Sequence, residues 1–204
     1  MLNLSDIFAD KALLYQPRTM VILWVVIFTS DFIIKHRGAS IYYKYVRKIF
    51  QLHSGYFFKH FPEEKINDFK YIIPIYLFGL LITSIFFWVL LYLSILHLNS
   101  SIYEFICGFF ILLEACIHIR HIRMVTFFSF FKNSEFFKGV STIPNWILHK
   151  TAAIEYATFG VGFILITIFS TNNFFAQGGV IACLVAFLFH ITAHCGEKTK
   201  HNID

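Results

Sequence analysis

The chain has 204 residues, of which 57% are hydrophobic and only 14% charged. Soluble domains carry about 25% charged residues, and disordered chains combine low hydrophobicity with high charge, so both classes are excluded. The net charge of +5 sits beside membrane-length apolar runs, which points to anionic lipid head groups rather than nucleic acid as the partner of the basic residues.

The segment 1–18 holds Asp6, Asp10, Lys11 and Arg18. It lacks the basic start and small-residue cleavage site of a secretory signal, and is expected to be retained. Thr19–Ile34 follows, 16 apolar residues interrupted only by Asp31 near the end. At about 24 Å it is a short fifth span with the N-terminus outside. The other reading of this stretch is an interfacial segment.

Residues 35–70 form a basic region. Within it Ser40–Phe58 sets Lys44, Arg47, Lys48 and Gln51 against Ile41, Tyr45, Val46, Ile49, Phe50 and Leu52. That pattern predicts a basic amphipathic helix on the inner leaflet. Pro62-Glu63-Glu64 suits a helix start.

Tyr71 to Tyr103 is 33 residues without Asp, Glu, Lys or Arg, and Tyr156 to Gly196 is 41. A span needs about 20 apolar residues. Asn99-Ser100-Ser101 and Thr171-Asn172-Asn173 read as tight turns. Four spans follow, at 71–98, 102–125, 147–171 and 174–195, with a tail at 196–204. Backbone groups in hydrocarbon must bond internally, so these runs are helices. The expected fold is all-α: a polytopic bundle of four or five transmembrane helices plus the interfacial helix. Of the 17 Lys and Arg, 15 lie in 35–70, 120–150 and the tail, and the two tight turns hold none. Those regions are assigned to the cytoplasm.

Ionisable residues inside spans are costly and mark sites. Glu114, His118 and His121 are spaced i, i+4, i+7 and fall within roughly a 60° arc of one helix face. Arg120 and Arg123 point elsewhere and can snorkel to head groups. Glu155 is the one acid of the third long span, and His190 and His194 lie one turn apart on the fourth. Counted from the outer turns, His118, His121, Glu155 and His190 sit about 24–28 Å deep, at one level. His149 and Cys195 fall nearer the aqueous rim. Small residues suggest the facing sides: Thr158 and Gly162 beside Glu155, and Gly179, Cys183 and Ala186 beside His190.

Two functions compete for this cluster. The leading one is ion or proton handling in a transport-related protein, because Glu and His chains mark intramembrane relays and His titrates near neutrality. The alternative is a metal-dependent enzyme acting on a lipid-phase substrate. Its zinc or iron ligands would be Glu114, His118, His121, Glu155 and His190, with His194 as a further donor. A haem held by one His of the second span and one of the fourth ranks lower, since it leaves both glutamates unused. The bland reading makes Glu155 a partner of Arg120, His118 or His121 that fixes helix register, in a subunit without chemistry of its own. A homo-oligomer or larger membrane complex is compatible with any of these.

Phe127, Phe128, Phe130, Phe131, Phe136 and Phe137 read as an aromatic connection that anchors in the interface. Cys107, Cys116, Cys183 and Cys195 lack C-x-x-C spacing and read as reduced packing residues.

Overall fold

The computed structural model describes residues 17–52, 61–97, 100–131, 141–170 and 173–201. Five helices dominate it: α1 (Pro17–Ile41), α2 (Phe69–His97), α3 (Ser100–Phe131), α4 (Asn145–Phe169) and α5 (Phe174–His201). Each is long and apolar enough to cross a membrane. Large apolar side chains stay exposed along them, including Phe78, Phe86 and Trp88 on α2 and Ile164, Ile168 and Phe169 on α4. No soluble monomer leaves so much contiguous apolar surface in water. The chain is an all-α integral membrane protein whose helices contact lipid.

α1 runs well past the expected 19–34. Its basic end, Lys35, His36 and Arg37, stays helical, and His36 Nε2 meets the Ile66 carbonyl at 2.8 Å. α1 passes into a single π-helical stretch, Tyr42–Val46, in which the Arg47 N–H donates to the Tyr42 carbonyl at 2.9 Å. The amphipathic helix expected over 40–58 does not run through 40–52, and 53–58 lie outside the described residues. The helical path ends at Val46, and Phe50–Leu52 (β1) pairs in parallel with Ser141–Ile143 (β2), in the register Phe50↔Ser141, Gln51↔Thr142, Leu52↔Ile143. The physical reason is burial. Tyr42 and Val46 insert among Ala39, Phe61, Ile66, Ile72, Phe128 and Phe131, so the apolar side of the predicted surface helix is consumed by the end of the bundle.

Other boundaries also differ from expectation. Pro62 opens only a 3-10 turn, Glu63–Lys65, before α2 begins at Phe69. α3 continues through Phe127, Phe128, Phe130 and Phe131, which are helical rather than part of a connection. Phe136, Phe137, the segment 1–16, residues 53–60 and the turn positions Asn99, Thr171 and Asn172 lie outside the described residues. Asn173 does cap α5, its Oδ1 accepting the Ala176 N–H at 2.9 Å, the bond that satisfies an orphan donor at a helix start.

α4 packs most extensively on α5, α5 on α3, and α3 on α1, while α2 sits at the margin. The α3–α5 crossing is a backbone contact. Gly108 faces the Phe175 carbonyl and Gly178 faces the Phe105 carbonyl, each so closely that a Cβ would overlap the opposing backbone. Gly179 is similarly crowded by Leu112 and Phe163. Gly162, by contrast, has open space around it, so the small face expected beside Glu155 makes no helix contact there. All four cysteines are free: Cys107, Cys116 and Cys183 are buried, and Cys195 is exposed.

Candidate intramembrane polar site

α3 carries its ionisable residues on two sides because it lies between neighbours. On the α1 side, Asp31 is the hub. His121 Nδ1 lies 2.6 Å from Asp31 Oδ1, and His118 Nδ1 lies 3.6 Å from the same oxygen. A carboxylate only accepts, so with Asp31 ionised His121 carries its proton on Nδ1. At 3.6 Å the second imidazole approaches the carboxylate without a hydrogen bond. His118 Nε2 approaches Ser30 Oγ at 3.5 Å. Asp31 and Glu114 are both buried. Glu114, one turn along α3 from His118, lies within electrostatic reach of Asp31 and Lys35.

On the α4 side, Arg120 Nε donates to Glu155 Oε2 at 2.8 Å and Arg120 Nη1 to the Tyr156 hydroxyl at 2.9 Å. Arg123 pairs with the other Glu155 oxygen. These arginines do not snorkel to head groups as expected. They face α4 and neutralise the acid that two arginines share. Glu155 is thus paired with Arg120, one of the three partners that the bland reading gave it.

A third group lies between α4 and α5. His149 Nδ1 and His190 Nδ1 are 3.0 Å apart, and both rings are buried. One Nδ1 donates and the other accepts, so this geometry holds a single proton between two rings. The Tyr156 ring stacks on His190 with centroids 5.5 Å apart. His149, placed at the aqueous rim by counting residues, is thus an interior partner of His190. His194 Nδ1 bonds the Trp146 carbonyl at 2.9 Å.

The six expected metal ligands are therefore not brought together. Glu114, His118 and His121 stand by Asp31, Glu155 by the arginines, His190 by His149, and His194 by a backbone carbonyl. Among the described residues no three His, Cys, Asp or Glu side chains form a group able to hold a metal ion. The bis-histidine pair that does form joins α4 to α5, not the second and fourth of the long spans to each other through a haem.

Asp31 is the residue that the sequence reading left out of the site. Its signal was present: it is the one acid in the apolar run Thr19–Ile34, and an isolated acid in a span calls for a partner. Compared with known proteins, the chain matches no family model, no curated protein and no solved structure.

Proposed function

We propose that this membrane protein handles protons at the acid–imidazole site between α1 and α3. The observation that supports the reading is the Asp31 carboxylate held 2.6 Å from His121 Nδ1 inside helices of spanning length. An ionised group inside a span is costly, up to about 2.5–3.5 kcal/mol at the bilayer centre on insertion scales and less toward the boundary. A chain keeps such a group when its charge is used. A proton reaching the far nitrogen of His121 makes an imidazolium that Asp31 stabilises directly. His118 faces the same carboxylate oxygen across 3.6 Å, so Asp31 relays a proton from one ring to the other once that gap shortens to hydrogen-bond distance. Glu114 extends the same face of α3 by one turn.

The basic ends of the bundle are read as cytoplasmic from the distribution of Lys and Arg, which puts this site near the cytoplasmic boundary. The pairing of β1 with β2 ties the two basic connections to one end of the bundle, whichever side that end faces. Glu155 belongs to the framework in this reading and not to the chemistry.

The test is proton flux into liposomes that carry the purified protein and an internal pH dye, driven by an imposed potential. Wild type is expected to conduct above protein-free vesicles. Asp31→Asn and His121→Ala are each expected to lower the rate at least about tenfold, within the range that loss of one proton-transfer group produces. Wild-type flux in Asp31→Asn, or no flux in wild type, overturns the reading. Stoichiometric zinc or iron that disappears in His118→Ala replaces it with a metal centre.

A further inference from the structure

A recess of about 280 Å³ opens between α1 and α2. Its walls include the rings of Phe32, Phe61 and Tyr76, with Gly79 on the α2 side, and its charged groups are Asp31 and Lys35. Phe32 and Tyr76 pack at 4.7 Å between centroids, and the Tyr76 hydroxyl is bonded to Thr29 Oγ1 at 2.7 Å. Asp31 is turned to the imidazoles of α3. Among the described residues the Lys35 ammonium has no hydrogen bond or ion pair, although it lies within reach of the charges of Asp31 and Glu114. The recess thus offers a cation that no oxygen bonds directly, on an apolar, aromatic wall and in the field of the Asp31 and Glu114 carboxylates.

Its depth says what the cation is for. Lys35 is 17 residues beyond Arg18, about 26 Å along the helix axis. The hydrocarbon core is about 30 Å thick, so a Lys there reaches the phosphate layer by extending its stem. The volume is just below the range of about 300–1,000 Å³ typical of small-molecule pockets. It suits a head group and the start of one chain, with the remaining chain lying on the exposed apolar side of α2. We infer that the recess between α1 and α2 is a binding site for one anionic phospholipid, whose phosphate is taken by Lys35. This inference rests on Lys35 and the recess and not on proton transfer at His121.

The experiment is native mass spectrometry of the full chain, released from neutral maltoside micelles doped with equal phosphatidylglycerol and phosphatidylcholine. Wild type is expected to retain one phosphatidylglycerol in preference to phosphatidylcholine by about fivefold, the contribution of a single Lys at the membrane surface. Lys35→Gln is expected to abolish the preference and Lys35→Arg to keep it. Gly79→Leu is expected to remove the retained lipid by filling the recess. A Cβ at Gly79 meets only the Phe28 ring, at an ordinary 3.6 Å, so the branch point of the new side chain fits, and an unchanged melting temperature checks that the whole of it does. Lys44→Gln with Lys48→Gln, both on the exposed surface, is expected to leave the preference intact. Equal retention of the two lipids by wild type, or an unchanged preference in Lys35→Gln, overturns the proposal. So does full displacement of the lipid by excess inorganic phosphate, which makes free phosphate the ligand.

Discussion

Alanine at Gly108 or at Gly178 is expected to lower thermal stability in detergent by roughly 10 °C. Either methyl group lands on backbone of the opposing helix, the Phe175 carbonyl for Gly108 and the Phe105 carbonyl for Gly178. A carbonyl in a helix is fixed by its own hydrogen bond and cannot rotate away as a side chain would. The helices must separate, and separation strips the close van der Waals contact that holds membrane helices together in the absence of a hydrophobic driving force between them. Overpacking a tight contact costs about 3 kcal/mol or more at such a site. For a chain of this size each kcal/mol is worth about 2–4 °C. Gly162→Ala provides the contrast. Nothing lies within 4 Å of a Cβ there, and Ala is favoured over Gly in a helix by about 0.5–1 kcal/mol. That variant is expected to be neutral or slightly more stable. Equal melting temperatures for Gly108→Ala, Gly178→Ala and Gly162→Ala would mean that α3 and α5 do not cross where described.

Glu155→Gln is the second large effect. It removes the anion that Arg120 and Arg123 share, and Arg120 is mostly enclosed while Arg123 is more than half exposed, at 14% and 59% side-chain accessibility. Breaking a buried ion pair by deleting one partner costs about 3–5 kcal/mol, because the other charge is left uncompensated. Most of that loss is assigned to Arg120. Arg123→Ala is therefore expected to cost under about 1 kcal/mol, as exposed pairs do. Arg120→Gln placed in the Glu155→Gln background is expected to recover part of the loss, since the enclosed cation is then gone as well. Scanning fluorimetry of the single and double variants measures this cycle. Strict additivity of the two changes refutes the pairing. Proton flux per folded molecule separates this framework role from the Asp31 site, since it should survive in Glu155→Gln and fail in Asp31→Asn.

The helical class was legible because apolar runs of membrane length leave the backbone no other solution, while the number stayed at four or five because Thr19–Ile34 is short for a span. The end of α1 was not, because an apolar count stops at Lys35 whereas the helix continues while its polar side chains find partners such as the Ile66 carbonyl. The stretch after Ile41 misled for a related reason. Tyr42 and Val46 have the spacing of a surface helix, and only the presence of Phe61, Ile72 and Phe128 beside them makes that face interior.

For the site, residue counting along each helix predicted a common level for His118, His121, Glu155 and His190, and the level says nothing about rotation around the axis. His121 and Arg120 are successive in rank and about 100° apart. A helix with one packed side would bury only one of them. α3 packs on α1 and on α5, and the long Arg120 side chain reaches Glu155 on α4, so both residues are enclosed and they serve different partners. That is why one expected cluster resolves into an Asp31 group, a Glu155 group and a histidine pair. The value of the small residues was similarly mixed. Gly179 marked a crowded contact, against Leu112 and Phe163, while Gly162 on α4 faces open space.

The two-sided character of α3 bears on how the chain enters the bilayer during synthesis. The acid for His118 and His121 is supplied by α1, which has already emerged from the ribosome when α3 is made. The acid for Arg120 and Arg123 is supplied by α4, which has not. α3 is consequently made before the acid that meets its arginines, and that pairing forms only after residue 155 has been translated.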